Sequence, residues 1–441
     1  MRLNLPVGNR PRSRRLGILV ATCAVALVAS ACGGGGDEGG GGEDEAVQLT
    51  FAWWGSDSRH EQTQQIIDAF EAENPNITIT PDFTDFSSYW DKLSTATAGG
   101  NPPDIMTQEE RYLAEYATRG QLLDLRSLAE LDLTNIDPLA LAGGEFDGGL
   151  FAVATGVNAF TVVADPQIFE EAGVEMPDDT TWTWDDFHDI AVEISEGTPD
   201  DVFGTQPYGS NDTGFNIYAR QQGESLYSAE GGLGFTAETL AEWWDRSLAL
   251  TEDGATPEAT AIIDTDAGGP DQSLLATNRG AMGFWWTNQL GALAGAAGRE
   301  LVLLRQPGEA DGTQPGMFLK PAMFYSISSQ TEHPEEAAMF VDYLLNSEAA
   351  AEIMLTDRGL PANLQIREHI LPMLPEDQVQ VAEFLEALAP DLGAPPPPPP
   401  TGAGETFAIT GRLYEEVLFG NLTTLEAAEQ FMSEVETAIG G

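Results

Sequence analysis

Residues 51–80 read FAWWGSDSRHEQTQQIIDAFEAENPNITIT, and the order of elements in this stretch decides the fold. Just upstream, Val47, Leu49 and Phe51 alternate with Gln48, Thr50 and Ala52, the period of two that marks a strand. Gly55-Ser56-Asp57-Ser58 then supplies turn formers and helix N-caps. Thr63, Ile66, Ile67 and Phe70 recur at helical spacing, Asn74-Pro75 stops the helix, and Ile77 and Ile79 resume a strand. Such a strand–helix–strand unit leaves its first turn at the carboxyl edge of a sheet, where open α/β folds bind ligands. Trp53 and Trp54 stand side by side at that edge. Two indoles followed by hydroxyl and amide groups suit the stacking and hydrogen bonding that a sugar requires. One Trp in the core with the other capping it fits the same residues.

The N-terminus is read apart from the fold. Arg10, Arg12, Arg14 and Arg15 form a basic segment ahead of the apolar run Leu16–Ala31. That run is short for a membrane-spanning helix, which needs about 20 residues. Its end, Ala29-Ser30-Ala31-Cys32, makes residues 1–31 a secretory signal. The segment resembles a bacterial lipoprotein signal in which Cys32 becomes the lipidated first residue, although Ala29 stands where such signals usually carry Leu. Ser13-Arg14-Arg15 resembles part of a twin-arginine motif, so both export routes stay open. Cys23 falls inside the leader and leaves Cys32 as the single cysteine of the mature chain, which excludes a disulfide scaffold. The Gly- and acid-rich stretch after it, GGGGDEGGGGEDE, makes residues 32–46 a flexible tether.

Seventy-one acidic residues against 19 Lys and Arg give a net charge of −52. A surface that acidic repels nucleic acid and anionic lipid heads and keeps a chain soluble, here as an expected monomer. The four histidines, His60, His188, His333 and His369, are far apart, and none shows metal-ligand spacing. No nucleophile elbow or phosphate loop is present. No catalytic residue, metal or cofactor is expected. Carboxylates brought close by folding leave a secreted carbohydrate-active enzyme as an alternative.

Beyond the opening unit, Phe86–Ala98 reads as a helix closed by GGNPP, Asp104-Ile105-Met106 as a short strand, and Gln108–Thr118 as a helix closed by Gly120. The order of these pieces, with IIDAFEAENP, GNPPDI and YLAEYATRGQLLDL, resembles the extracellular solute-binding proteins of ABC sugar importers, family 1, the group that includes maltose-binding protein. Phe151–Gly173, the TWTWDDF start at Thr181, RGAMGFWW at Arg279–Trp286 and GLPA at Gly359–Ala362 agree in order. Departures are Ala154 where the family often has Pro, Val163-Ala164-Asp165 where it often has Tyr-Asn, and the six prolines Pro395–Pro400.

The resemblance implies an α/β, two-lobe periplasmic-binding-protein-like II fold with a hinge crossed by the chain three times. The crossings are expected near Ala154–Asn158, Leu304–Gly308 and Leu360–Asn363. Lobe one is then 47–155 plus 306–360, and lobe two 156–305 plus 361–441. It also implies a substrate-binding component of an ABC importer, tethered outside the cytoplasmic membrane, that takes a mono- or oligosaccharide and passes it to a permease. A polyol, osmolyte or peptide is the alternative ligand. On lobe one the expected contacts are Trp54, Ser56, Asp57, Gln108, Glu109 and Arg111, with Asp104 as a structural support. On lobe two they are Asn158, Asn211, Asp212, Trp285, Trp286 and Asn288, with Phe318 and Glu405 as further candidates in the last crossings. One of Trp285 and Trp286 is expected to face the cleft and the other the core. Trp90, Trp182, Trp184, Trp243 and Trp244 are expected in the core.

Overall fold

The computed structural model describes residues 46–55, 57–267, 272–393 and 395–440. The leader, Cys32, most of the tether and Ser56 lie outside the described residues. Strand β1 (Val47–Trp54) buries Val47, Leu49 and Phe51 as the alternation requires, but Ala52, Trp53 and Trp54 are buried too. Its carboxyl half is therefore covered on both faces. Helix α1 (Asp57–Glu73) buries Thr63, Ile66, Ile67 and Phe70, the four residues picked out by their spacing. Strand β2 (Ile77–Thr84) returns parallel to β1, Val47 opposite Ile77 and Trp54 opposite Thr84.

Helix α2 (Phe86–Ala98) is capped by Asp85, whose side chain accepts from the Ser88 amide. Strand β3 (Ile105–Gln108) lies parallel on the other side of β1, and helix α3 (Glu110–Thr118) follows it. Asp104 ties this edge together, accepting from the Thr50 amide at 2.8 Å and the Thr331 hydroxyl at 2.7 Å. Strands Phe324–Ile327 and Val153–Ala154 complete a five-stranded sheet ordered β2, β1, β3, then these two, both antiparallel pairings.

A second sheet has four strands in the order Val302–Leu304, Phe160–Ala164, Gly280–Trp286, Phe203–Thr205. Its own core holds Trp182, Trp184, Trp243 and Trp244. Between the two lies a small sheet in which Gly156–Asn158 pairs with Lys320–Pro321 on one side and Leu360–Pro361 on the other. No Cβ could be accommodated at Gly156, since one would fall 2.6 Å from the Arg358 carbonyl oxygen and 2.7 Å from that of Leu360. Close approach of the three strands depends on that glycine.

Residues 306–317, placed with lobe one on the sequence, bond elsewhere. The Gln306 side chain donates to the Phe160 carbonyl at 3.1 Å. Gln221 donates to the Pro307 carbonyl and Arg220 to that of Gly316, each at 2.8 Å. Glu309 receives the amides of Gly316 and Met317, and burial pushes its carboxyl pKa up against those bonds. Among the described residues no helix is long and apolar enough to cross a membrane.

Candidate functional site

Glu109 follows β3 and Arg111 lies in the first turn of α3, at the carboxyl edge of the first sheet. Glu109 caps α3 by accepting from the Arg111 amide at 2.8 Å, and it is 7% exposed. Its second partner comes from the small sheet: Lys320 Nζ lies 2.8 Å from its Oε1 and 3.6 Å from Glu110. Burial alone would raise the Glu109 pKa, but Lys320 and Arg111 outweigh it and hold the carboxyl down at about 2. At Glu110 burial prevails and its pKa is raised. The Arg111 guanidinium reaches across to Asp212, with Nη2 3.1 Å from both carboxylate oxygens. Burial opposes the charge on Arg111, yet Asp212 and Glu109 keep it more firmly protonated than usual.

Asp212 opens the Asp212–Gln221 helix beside the second sheet and is buried. Asn211, one residue earlier, is the helix cap and accepts from the Gly214 amide at 2.8 Å. Lys320 also lies over the Trp286 ring, Nζ 5.4 Å from its centroid, and stands opposite Asn158 in strand register. Asn158 is buried and accepts from the Thr287 hydroxyl at 3.4 Å. The cluster thus brings Glu109, Arg111, Asn158, Asp212 and Trp286 to one region between the sheets. A cavity of about 40 Å³ opens there, walled by Arg111, Asp212, Tyr227, Phe318 and Lys320 among others.

Of the remaining candidates only Phe318 is among the residues that line that cavity. Trp54 is 7% exposed and boxed by Phe86, Tyr89 and Trp90 at ring-centroid distances of 5.1–5.5 Å. Asp57 is exposed at the start of α1. Gln108 is wholly buried at the end of β3, and its Oε1 has no hydrogen-bond partner among the described residues. Trp285 and Trp286 are both half-buried at successive positions of the Gly280–Trp286 strand, and Trp286 is the one beneath Lys320. Asn288 is half-buried in the short turn Thr287–Gln289. Phe318 does line the cavity, while Glu405 lies on a separate groove with Arg412 and Glu434.

Sequence reasoning passed over Lys320, Tyr227 and Tyr112. A signal existed for the first: Lys320 is one of only two lysines in the chain, with Lys92. Tyr112 stacks on Trp90 at 3.7 Å and links the Trp54 box to α3. A wider groove of about 560 Å³ lies between the Trp184–Gly197 and Ala237–Glu252 helices. It draws on residues around the second sheet and is lined by Asp185, Asp189, Glu242 and Asp245 around Arg246. Among the described residues no three His, Cys, Asp or Glu side chains are grouped to hold a metal.

Two sheets, each with its helices, joined by a three-stranded hinge define the two-lobe fold of periplasmic solute-binding proteins. The chain belongs to the family "Bacterial extracellular solute-binding protein", whose model matches residues 56–351. It is 24% identical over 325 residues to an "uncharacterized lipoprotein in oleD 5'region" of Streptomyces antibioticus, covering 69% of this chain and 67% of that one. A family 1 extracellular solute-binding protein from Alicyclobacillus acidocaldarius is 29% identical, with a TM-score of 0.69 over 90% of this chain and 99% of that one. A periplasmic oligogalacturonide binding protein from Yersinia enterocolitica, in complex with saturated digalacturonic acid, is 22% identical. It superposes with a TM-score of 0.78 over 89% of this chain and all of its own (100%).

Proposed function

We propose that this protein captures a mono- or oligosaccharide between its lobes and delivers it to an ABC permease, held outside the cell membrane by acylated Cys32. The single observation that carries the reading is the junction of Arg111, Asp212, Glu109 and Lys320, which unites groups from both sheets and the hinge beside Trp286, Tyr227 and Phe318. A sugar presents C–H faces between rims of hydroxyls, and this junction offers aromatic rings next to carboxylate and cationic partners. Hydrogen bonds to charged groups are worth about 1.5–3 kcal/mol each, enough to select among hydroxyl patterns. Two cations among three carboxylates leave no positive excess, so an uncharged glycan fits better than an anionic one. Closure follows when a solute bonds groups on both lobes at once, which it does only in the closed form. The complex of the Yersinia protein with digalacturonic acid shows that this fold accommodates a saccharide in a relative.

A tryptophan-fluorescence titration against a panel of neutral sugars and uronates tests the reading. Saturable change with one sugar class and no product formed supports a receptor. A flat response to every sugar alongside a response to an osmolyte or peptide overturns the sugar assignment, and turnover overturns the receptor role.

A further inference from the structure

The proline run lies in the cleft. Pro395 and Pro398 are exposed, whereas Pro396, Pro397, Pro399 and Pro400 are half-buried. That period of three is the period of a polyproline II helix resting two of its three edges on a surface. The surface is the cavity between the lobes: Pro396, Pro397 and Pro399 line it together with Arg111, Asp212, Tyr227 and Phe318.

The chain flanking the run touches both lobes, the second before it and both after it. Before it, a Cβ on Gly393 would come within 3.1 Å of the Arg220 guanidinium and 3.0 Å of the Pro315 carbonyl oxygen. After it, a Cβ on Gly404 would meet the Tyr112 ring at 2.7 Å, so this backbone presses on α3. The Arg111 guanidinium lies 5.7 Å from the Phe407 ring centroid. On the other side the Thr406 and Tyr227 hydroxyls share a hydrogen bond of 2.7 Å. Contacts to both sheets' helices therefore occur within a short length of chain.

Proline suits this position physically. Its φ is already fixed in the unfolded chain, so ordering the run costs little conformational entropy. It has no N–H, so packing it against aromatic walls strands no donor. Extended proline segments dock into aromatic-lined grooves for these reasons. The space left is about 40 Å³. A water molecule needs about 10–15 Å³ of such space, and small-molecule sites run to roughly 300–1,000 Å³. The room beside the run falls well short of a small-molecule site in this arrangement.

We infer that Pro395–Pro400 is an internal clasp. It occupies the cleft when no solute is bound, bridges the two lobes, and is displaced when the cleft opens to admit a ligand. The inference goes beyond the proposed function and does not depend on which solute is carried.

Hydrogen–deuterium exchange of the full chain without added solute tests it. The native protein is compared with a same-length replacement of Pro395–Pro400 by Gly-Ser-Gly-Ser-Gly-Ser and with the milder Pro396→Gly/Pro399→Gly. Amides of α3 and of the Asp212–Gln221 helix should exchange at least about tenfold faster in both variants, with β1 unchanged. Unaltered exchange in those two helices overturns the clasp. If the six-residue replacement speeds exchange in β1 as well, the fold has been lost and the double variant decides. Acceleration throughout the chain in the double variant also overturns the clasp, because the run would then be general structural support.

Discussion

Arg111 Nη2 lies 3.1 Å from both carboxylate oxygens of Asp212, a residue 101 positions later in the chain and next to the other sheet. Neither side chain is open to solvent, at 19% and 4% exposure. Removing one partner from a buried pair leaves a desolvated charge behind, at a cost of about 3 kcal/mol or more when the site cannot relax. Here the hinge offers relief by opening. Asp212→Asn should lower the unfolding free energy by about 2 kcal/mol in a denaturant titration. Combined with Arg111→Met, the loss should fall short of the two single losses added together by at least about 1 kcal/mol. Additive losses would show that the pair does not couple the lobes.

Trp286 and Trp54 should separate function from stability. Trp286 sits under the ammonium of Lys320, which lines the cavity, and Trp286→Ala should weaken sugar binding at least about tenfold with the fold retained. Trp54 is enclosed by three rings, and Trp54→Ala should cost about 3–5 kcal/mol of stability. Calorimetric binding and denaturant melts on the same two variants check both statements. Equal binding losses with equal stability would contradict the placement of Trp54.

Glu109 predicts an acid limb. Its carboxyl is held at about 2 in the fold against an ordinary 4.5, so the unfolded chain binds the proton more readily. Its contribution is complete above about pH 4.5 and disappears as the pH falls toward 2. The amount at stake is about 3 kcal/mol. Glu109→Gln should be less stable than the native chain at neutral pH, with the gap narrowing across that window. A gap that stays constant with pH would show that the Lys320 and Arg111 contacts do not hold the charge.

A net charge of −52 in 441 residues makes self-repulsion a general load on the folded state. Salt screens it, with a Debye length of about 10 Å at 0.1 M and about 3 Å at 1 M. The melting temperature should rise from low to high salt. A flat profile would mean that acids and bases are already arranged to cancel locally.

The proposed lipid attachment rests on Cys32. Cys32→Ser should release the protein from the membrane fraction and abolish incorporation of a labelled fatty acid. Retention of the variant on the membrane would require a different anchor.

Much of the first lobe could be read directly. The four residues Thr63, Ile66, Ile67 and Phe70 are the buried face of α1 because helical spacing leaves one face for the sheet. Alternation in β1 held as far as Phe51 and then ended, because helices cover both faces of a parallel strand and its carboxyl half is buried throughout. The indoles of helices and helix starts, Trp90, Trp182, Trp184, Trp243 and Trp244, are buried as their positions imply.

Local chemistry along the chain determined the opening strand–helix–strand unit and the polar residues of the turn after β3, because periodicity and turn preference act over a few residues, and it alone carries the expectation of a leader and a tether. Tertiary structure alone decided that Arg111 meets Asp212, that Lys320 joins Glu109 to Trp286, and that Trp54 is enclosed by aromatics. It also decided that three of the six prolines near the C-terminus, Pro396, Pro397 and Pro399, lie against residues from both sheets' helices. Partners separated by 101, 179 or 211 positions are chosen by how sheets pack about a hinge, and no local pattern encodes that geometry.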